Sequence, residues 1–307
     1  MNAPTRPNSV SSVPGAVPTR PNSVPPRPSS APPVPSGVAP GFGGGRKVTF
    51  GKIEPQGHRV GFFGPGGIGK TTVAMTAPGP VAVIDLDDSL PILLPSLGGL
   101  DIRRVAGVST WQEIRDVLRS PGWDEIKTIV IDSATKAEEL AVDWTLKNVK
   151  HEKDGVIIRR IEDYGFGKGY QHVYETFLTL LGDLDAHVRA GRNVVLIMHD
   201  CTASVPNPRG EDWIRYEPRL QNPSSGKASV RLRLREWLDH LLFIGYDVEC
   251  TRQMDGKAKG QGSRTLYPRE MPWCMAKSRT LAEPLELVQF DTTLWTQLFA
   301  PDARTRS

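Results

Sequence analysis

The chain has 307 residues, a net charge of +4 and 38% hydrophobic residues. No apolar run approaches the roughly 18 residues that a membrane-spanning helix needs. The N-terminus lacks the apolar core of a signal peptide. The three cysteines lie far apart without a C-x-x-C pair, which argues against a disulfide framework or a zinc site. We therefore expect a cytoplasmic protein with no membrane contact.

The first 46 residues differ in composition from the rest. They hold 12 of the 27 prolines, and the heptapeptide at residues 4–10 recurs at 18–24. Such a segment buries too little apolar surface to offset its ordering entropy, so we predict a disordered, partly polyproline arm. It is interpreted as a solvated tether, although docking of an SH3-like partner or of nucleic acid stays open. We predict a folded domain over residues 47–300 and a disordered tail over 301–307.

The arm also explains the positive net charge. Residues 1–47 carry five basic and no acidic side chains, which leaves a net charge of −1 for residues 48–307. Any contact of the folded domain with nucleic acid must therefore come from particular loops rather than from a basic face.

A phosphate-binding motif is the strongest signal in the sequence. Residues 64–71 match G-x-x-x-x-G-K-[ST], between an apolar strand at 59–63 and a helix that opens at Thr71. Glycines let backbone N–H groups surround phosphates, and the helix N-terminus adds a positive dipole. An ordinary glycine-rich turn is the alternative. The predicted nucleotide contacts are Gly64, Pro65, Gly66, Gly67, Ile68, Gly69, Lys70, Thr71 and Thr72.

A second strand predicts the metal-binding half of this site. Residues 128–132 are rich in β-branched side chains and end in Asp132. With Thr71, this aspartate would hold Mg²⁺ beside the β- and γ-phosphates, which Lys70 would reach. In the alternative interpretation, Asp132 is only the N-cap of a helix over residues 134–150.

The remaining pattern favours an α/β fold. Apolar strands at 81–85 and 193–200 alternate with helices at 110–119 and around 173–188, which predicts a mostly parallel sheet flanked by helices. Thr110 and Glu113 have the spacing of a capping box. From residue 240 a β-hairpin is predicted, with a basic turn over 254–262. Its tip would carry Lys257, Lys259 and Arg264.

The order of these motifs resembles the RecA-like P-loop ATPases, specifically phage-type ATP-binding proteins related to single-strand annealing recombinases. The resemblance covers residues 48–290. It rests on the segments 64–72, 131–133, 164–170, 198–199, 215–220, 234–239 and 276–279. It implies ATP and Mg²⁺ as cofactors, and phage origin.

The resemblance also implies catalytic roles. Asp87 matches the glutamate that polarises the attacking water, but it is one methylene shorter, which puts the hydrolysis rate in question. His199 falls at the position where the family has its γ-phosphate sensor. Lys277 and Arg279 match a Lys-x-Arg finger that reaches a neighbouring subunit's nucleotide, which implies a homo-oligomer. A surface basic pair is the alternative. The predicted catalytic residues are Lys70, Asp87, Asp132, His199, Lys277 and Arg279.

Two segments match the loops by which such recombinases bind single-stranded DNA, residues 150–170 and 200–230. Both interleave basic and aromatic residues, which suits phosphates and stacked bases. Loops that pack their aromatics onto the core are the alternative. The candidate contacts are Arg159, Arg160, Lys168, Tyr170 and Arg215.

The main hypothesis is an ATPase that binds single-stranded DNA in annealing or recombination, with a single-strand-binding protein as a further candidate partner. A nucleotide-switched adaptor or loader is the alternative. A small-molecule kinase is less well supported, because the sequence has no evident arginine-rich lid.

Overall fold

The computed structural model describes residues 49–153, 155–249 and 259–299. Internal contacts divide the chain into residues 1–52 and 53–307, and the fold below is that of the second unit. The predicted arm over 1–46, the tail over 301–307 and the hairpin turn at Lys257 lie outside the described residues.

A mixed, mostly parallel β-sheet organises the second unit. Its strand order is β3-β2-β4-β5-β1-β7-β8-β9, and β6 pairs with the distal part of β5. The first six strands of this order are parallel neighbours, whereas β8, β9 and β6 pair antiparallel. The strands are β1 (Arg59–Gly64), β2 (Val81–Asp85), β3 (Ile102–Arg104), β4 (Thr128–Asp132), β5 (Asn193–Val205), β6 (Trp213–Pro218), β7 (His240–Glu249), β8 (Lys259–Tyr267) and β9 (Leu285–Glu286).

Helices cover both faces of the sheet. Thr110 and Glu113 form the predicted capping box at the start of α3, with Glu113 N donating to Thr110 Oγ1 and Thr110 N donating to the Glu113 carboxylate. The helices are α1 (Lys70–Met75), α2 (Leu90–Leu93), α3 (Trp111–Arg119), α4 (Ala134–Asn148), α5 (Lys168–Arg189), α6 (Val230–Trp237) and α7 (Thr293–Leu298). Within the described ranges, no helix is long and apolar enough to cross a membrane.

The side chains of the central strands alternate between the two faces of the sheet, and each face packs against its own hydrophobic core. On β4, Ile129 and Ile131 face the core with α3 to α6, whereas Val130 faces the core with α1, α2 and α7. Successive strand side chains point to opposite faces, so a run of Val and Ile is buried on both sides. The predicted α/β fold with a mostly parallel sheet and a C-terminal hairpin is confirmed.

The strand register brings the polar strand ends together. Gly64 is the parallel partner of His199, and Asp85 is the partner of Asp132. Because parallel strands end at the same edge of the sheet, residues from β1, β2, β4 and β5 meet there.

Two predicted boundaries differ from the structure. The strand predicted to end at residue 200 continues to Val205 and turns back as β6, so part of the second candidate loop is a β-hairpin. Arg264, predicted near the tip of the C-terminal hairpin, lies on β8 opposite Tyr246.

Candidate functional site

A cleft of about 380 Å³ opens at this edge of the sheet, between the loop after β1 and the ends of β4 and β5. The cleft is lined by glycines of the loop, hydroxyls and carboxylates, together with two apolar residues of α2. The lining residues are Gly66, Gly67, Gly69, Lys70, Thr71, Thr72, Asp87, Ser89, Ile92, Leu93, Asp132, Ile197 and His199.

Lys70 is the buried cation of the cleft. Its ammonium donates to the carbonyl oxygens of Gly64 at 2.7 Å and Pro65 at 2.8 Å. Burial lowers the pKa of Lys70, an effect that Asp200, Asp132 and Asp87 oppose. The loop therefore holds a positive charge in a fixed position in the cleft.

The loop's first glycine is required by packing. A Cβ on Gly64 would lie 2.2 Å from the Ile244 carbonyl oxygen of the neighbouring strand β7. A side chain there would force the loop away from the sheet.

Three oxygen-bearing side chains converge opposite Lys70. Thr71 Oγ1 donates to Asp132 Oδ2 at 2.7 Å, and Ser89 Oγ donates to the same oxygen at 3.1 Å. Burial raises the pKa of Asp132, while these two hydrogen bonds lower it. Asp132 is not the N-cap of α4, because Ser133 Oγ accepts the N–H of Lys136 and fills that role.

Ser89 was not predicted from the sequence. The buried carboxylate of Asp85 accepts the backbone N–H groups of Ser89 and Leu90, which fixes the turn into α2. That turn delivers the Ser89 hydroxyl to Asp132. The only signal in the sequence is a serine four residues after the Asp85 strand end.

These groups suit Mg²⁺ bound together with a nucleotide. In residues 49–153, 155–249 and 259–299, no group of three His, Cys, Asp or Glu side chains is placed to hold a metal alone. Mg²⁺ commonly binds one or two protein oxygens and completes its shell with water and phosphate oxygens. Thr71 and Asp132 would hold it, as predicted, and the ion would supply positive charge at the transferring phosphate. Those ligand roles stay predictions.

Asp87 and His199 form a polar pair at the wall of the cleft. His199 Nε2 lies 3.4 Å from Asp87 Oδ2. The backbone N–H of His199 donates to Thr135 Oγ1, and its carbonyl accepts the N–H of Arg219. The structure thus places both predicted residues side by side at the cleft. Their roles as general base and γ-phosphate sensor stay predictions.

The Lys-x-Arg pair lies apart from this cleft. Lys277 Nζ donates to the carbonyl oxygens of Arg235, Glu236 and Leu238 at the end of α6, at 3.0, 3.2 and 2.6 Å. Arg279 is exposed and lies 3.2 Å from Asp239. Lys277 is therefore bonded within its own chain, whereas the Arg279 side chain is exposed.

The first candidate DNA segment is only partly exposed. Arg159 and Arg160 are exposed, and their backbone N–H groups donate to Asp163. Lys168 pairs with Glu152 at 2.5 Å, and the Tyr170 hydroxyl donates to Glu162 at 3.0 Å. The two arginines are the groups best placed for an external anion.

The prediction for Arg215 is wrong in its premise that this side chain is available. Its guanidinium is buried on β6 and bonded to Glu217 at 2.7 Å and Glu270 at 2.5 Å. Arg231 donates to the second oxygen of Glu217. Breaking such a buried network leaves uncompensated charge, so Arg215 stabilises the fold rather than facing a ligand.

Comparison with known proteins agrees with this geometry. A family model described as an AAA domain matches residues 56–280, more than half of the chain and all of the cleft. No curated protein matches the chain. The resemblance is thus confirmed for the P-loop ATPase class, while the narrower relationship to annealing recombinases stays a prediction. The chain belongs to the AAA domain family and is a P-loop ATPase of the AAA type.

Proposed function

We propose that this protein hydrolyses ATP with Mg²⁺ and couples that cycle to single-stranded DNA. The observation that carries the nucleotide part is the Thr71–Asp132 hydrogen bond, 2.7 Å long, in the cleft that the buried Lys70 also lines. A hydroxyl, a carboxylate and a lysine in this arrangement match the needs of phosphoryl transfer, which depends on positioning and charge stabilisation.

Each side chain has a distinct task in this proposal. Lys70 neutralises the charge that develops on the phosphoryl oxygens, since it is the buried cation at the loop. Asp87 orients a water molecule and accepts its proton, while His199 donates a hydrogen bond to the terminal phosphate. The contact of His199 with Asp87 links phosphate sensing to the general base.

The DNA part of the proposal depends on the first candidate segment. Arg159 and Arg160 supply two exposed cations, and the fully exposed Phe166 supplies an aromatic face. Cations that neutralise phosphates and rings that stack on bases together give sequence-tolerant single-strand binding. We propose a role in strand annealing or recombination, as a homo-oligomer, on this basis.

Phosphate release from ATP, measured with and without single-stranded DNA, tests the proposal. Lys70→Ala provides the blank, because it removes the phosphate-binding charge. Clear stimulation by DNA supports the coupled function. Hydrolysis that does not respond to DNA would refute the coupling and leave the nucleotide part intact.

A charge-matched pair of double variants locates the DNA contact. Arg159→Ala/Arg160→Ala should weaken single-strand binding while nucleotide affinity stays unchanged. Lys127→Ala/Arg189→Ala removes the same charge from exposed positions at the opposite edge of the sheet. Equal DNA affinity in the two double variants would exclude the loop assignment.

A nucleotide-switched adaptor or loader is the second candidate. It is favoured by the burial of Arg215 and Tyr164, which takes two residues of the candidate DNA segments into the core. Deleting residues 1–46 separates the two functions. A DNA-coupled ATPase should keep its hydrolysis and DNA response, whereas an adaptor that uses the arm as a tether should lose its protein partner.

A further inference from the structure

An arginine from the C-terminal hairpin contacts the backbone of the phosphate loop. Arg264 Nη1 on β8 donates to the carbonyl oxygen of Ile68 at 2.9 Å, across 196 residues of sequence. The same nitrogen would lie 2.5 Å from a Cβ on Gly69. Arg264 is not among the residues that line the cleft, and its guanidinium is hydrogen-bonded to the loop backbone.

This contact fixes the orientation of one peptide unit. The Ile68–Gly69 bond is trans, and in a trans peptide the C=O and N–H groups point in opposite directions. Because the Ile68 carbonyl points to Arg264, the Gly69 N–H points away from Arg264, and Gly69 itself lines the cleft. In the described part of the chain, no backbone carbonyl accepts this N–H. The loop therefore presents an unpaired donor to the space where phosphates are expected.

The backbone at Gly69 is flexible enough that a hydrogen bond from outside the loop can select its conformation. Gly69 has φ +101° and ψ 18°, a left-handed conformation that glycine adopts readily among several others. A charge-assisted hydrogen bond to the adjoining carbonyl selects one of these conformations and polarises the peptide, which makes its N–H a better donor.

We infer that Arg264 is a positioning residue of the nucleotide site, which holds the Ile68–Gly69 peptide with its N–H directed at a bound phosphate. The inference rests on the nucleotide binding proposed above. It gives the C-terminal hairpin a function in phosphate recognition that the motif at residues 64–71 does not reveal.

Binding of fluorescent ADP and ATP to three variants tests this role. Arg264→Met keeps the aliphatic stem and removes the guanidinium, and we expect about a tenfold rise in Kd, as for one lost charge-assisted hydrogen bond. Arg264→Ala should show the same loss, partly recovered by methylguanidinium in the buffer. Arg269→Ala is the matched control, because Arg269 follows the same strand, is exposed and does not contact the loop.

Thermal unfolding of the nucleotide-free proteins separates positioning from packing. The expected result for Arg264→Met is an unfolding temperature close to that of the unmodified protein, with weaker nucleotide binding. An unchanged Kd in Arg264→Met would overturn the inference. Weaker binding that is accompanied by a lower unfolding temperature, and that methylguanidinium does not restore in Arg264→Ala, would also overturn it. If the unmodified protein bound no nucleotide, the proposed function itself would fail.

Discussion

Thr71 Oγ1 and Asp132 Oδ2 are 2.7 Å apart, although the two residues are 61 positions apart in sequence. One residue belongs to the phosphate loop and the other ends the central strand β4. The distance leaves the two oxygens close enough to bind the same metal ion. It also makes Asp132 the residue through which metal dependence is tested most directly.

Replacing Asp132 with Asn should remove the Mg²⁺ dependence of nucleotide binding. The amide keeps the shape but not the negative charge that a divalent cation needs. We expect the affinity for fluorescent ATP to become equal with Mg²⁺ and with EDTA. Asp143→Asn on the exposed face of α4 is the control and should keep the Mg²⁺ effect. A persistent Mg²⁺ effect in Asp132→Asn would assign the ion to other ligands.

Variants of the Asp87–His199 pair should separate binding from chemistry. Asp87→Asn removes the proposed base, so we expect kcat to fall about 10²-fold or more while Kd for ATP stays unchanged. His199→Gln keeps a hydrogen-bond donor and should lose less activity than His199→Ala. Single-turnover hydrolysis measures both effects. Equal kcat in Asp87→Asn and the unmodified protein would exclude Asp87 as the base.

Lys277→Met should destabilise the protein. Its ammonium donates to three carbonyl oxygens around the end of α6, and all three would lose a charged donor. We expect the free energy of unfolding to fall by about 1–3 kcal/mol, measured in urea. Arg279→Ala is the matched variant and should stay within about 0.5 kcal/mol, because its side chain is exposed.

The predicted action of Arg279 in a neighbouring subunit has its own test. Arg279→Ala and Lys70→Ala should each hydrolyse ATP poorly when alone. When the two variants are mixed, an Arg279→Ala subunit supplies an intact nucleotide site, and a Lys70→Ala subunit supplies the missing arginine. Partial recovery of phosphate release is the expected result. No recovery in an assembly shown to contain both variants would exclude the finger.

Glu138 should make stability depend on pH. Its carboxylate accepts the backbone N–H of Gln221 at 2.8 and 3.0 Å, and burial raises its pKa from 4.5 to about 7 against the opposing effects of that hydrogen bond and Arg231. The native state thus holds a proton that the unfolded state releases. The free energy of unfolding should therefore fall as pH rises from about 4.5 to 7, and then level off.

Glu138→Gln isolates this contribution, because the amide does not titrate. The difference in unfolding free energy between the unmodified protein and Glu138→Gln should decrease across that interval. Parallel pH profiles of the two proteins would show that Glu138 titrates normally.

Local patterns were sufficient to predict the main features of the fold. The strands at 81–85, 128–132 and 193–200 are nearly continuous in buried apolar residues and alternate with helices, a pattern typical of a covered parallel sheet. The residues of the phosphate loop were found because a contiguous motif specifies them. Asp132 was predicted because it ends a β-branched strand, and His199 was predicted from the family resemblance. Both lie at the cleft because parallel strands end at one edge of the sheet.

Residues that act across the fold were missed for physical reasons. Arg264 reaches the loop only because β8 lies two strands from β1, and no local pattern encodes that distance. Arg215 was misassigned although a signal was present: Arg215 and Glu217 are two residues apart, so they share one face of β6 and pair there.

The last helix of the described chain completes the packing of the first. Trp295 Nε1 on α7 donates to Thr76 Oγ1 at 3.0 Å, just after α1, and the Trp295 ring meets Phe62 edge-on. More than two hundred residues are synthesised between these partners. During translation, the helix that carries Lys70 thus gains its supporting tryptophan only when Leu298 has emerged from the ribosome. A nascent chain should become competent to retain nucleotide only after α7 has been synthesised and has packed against α1.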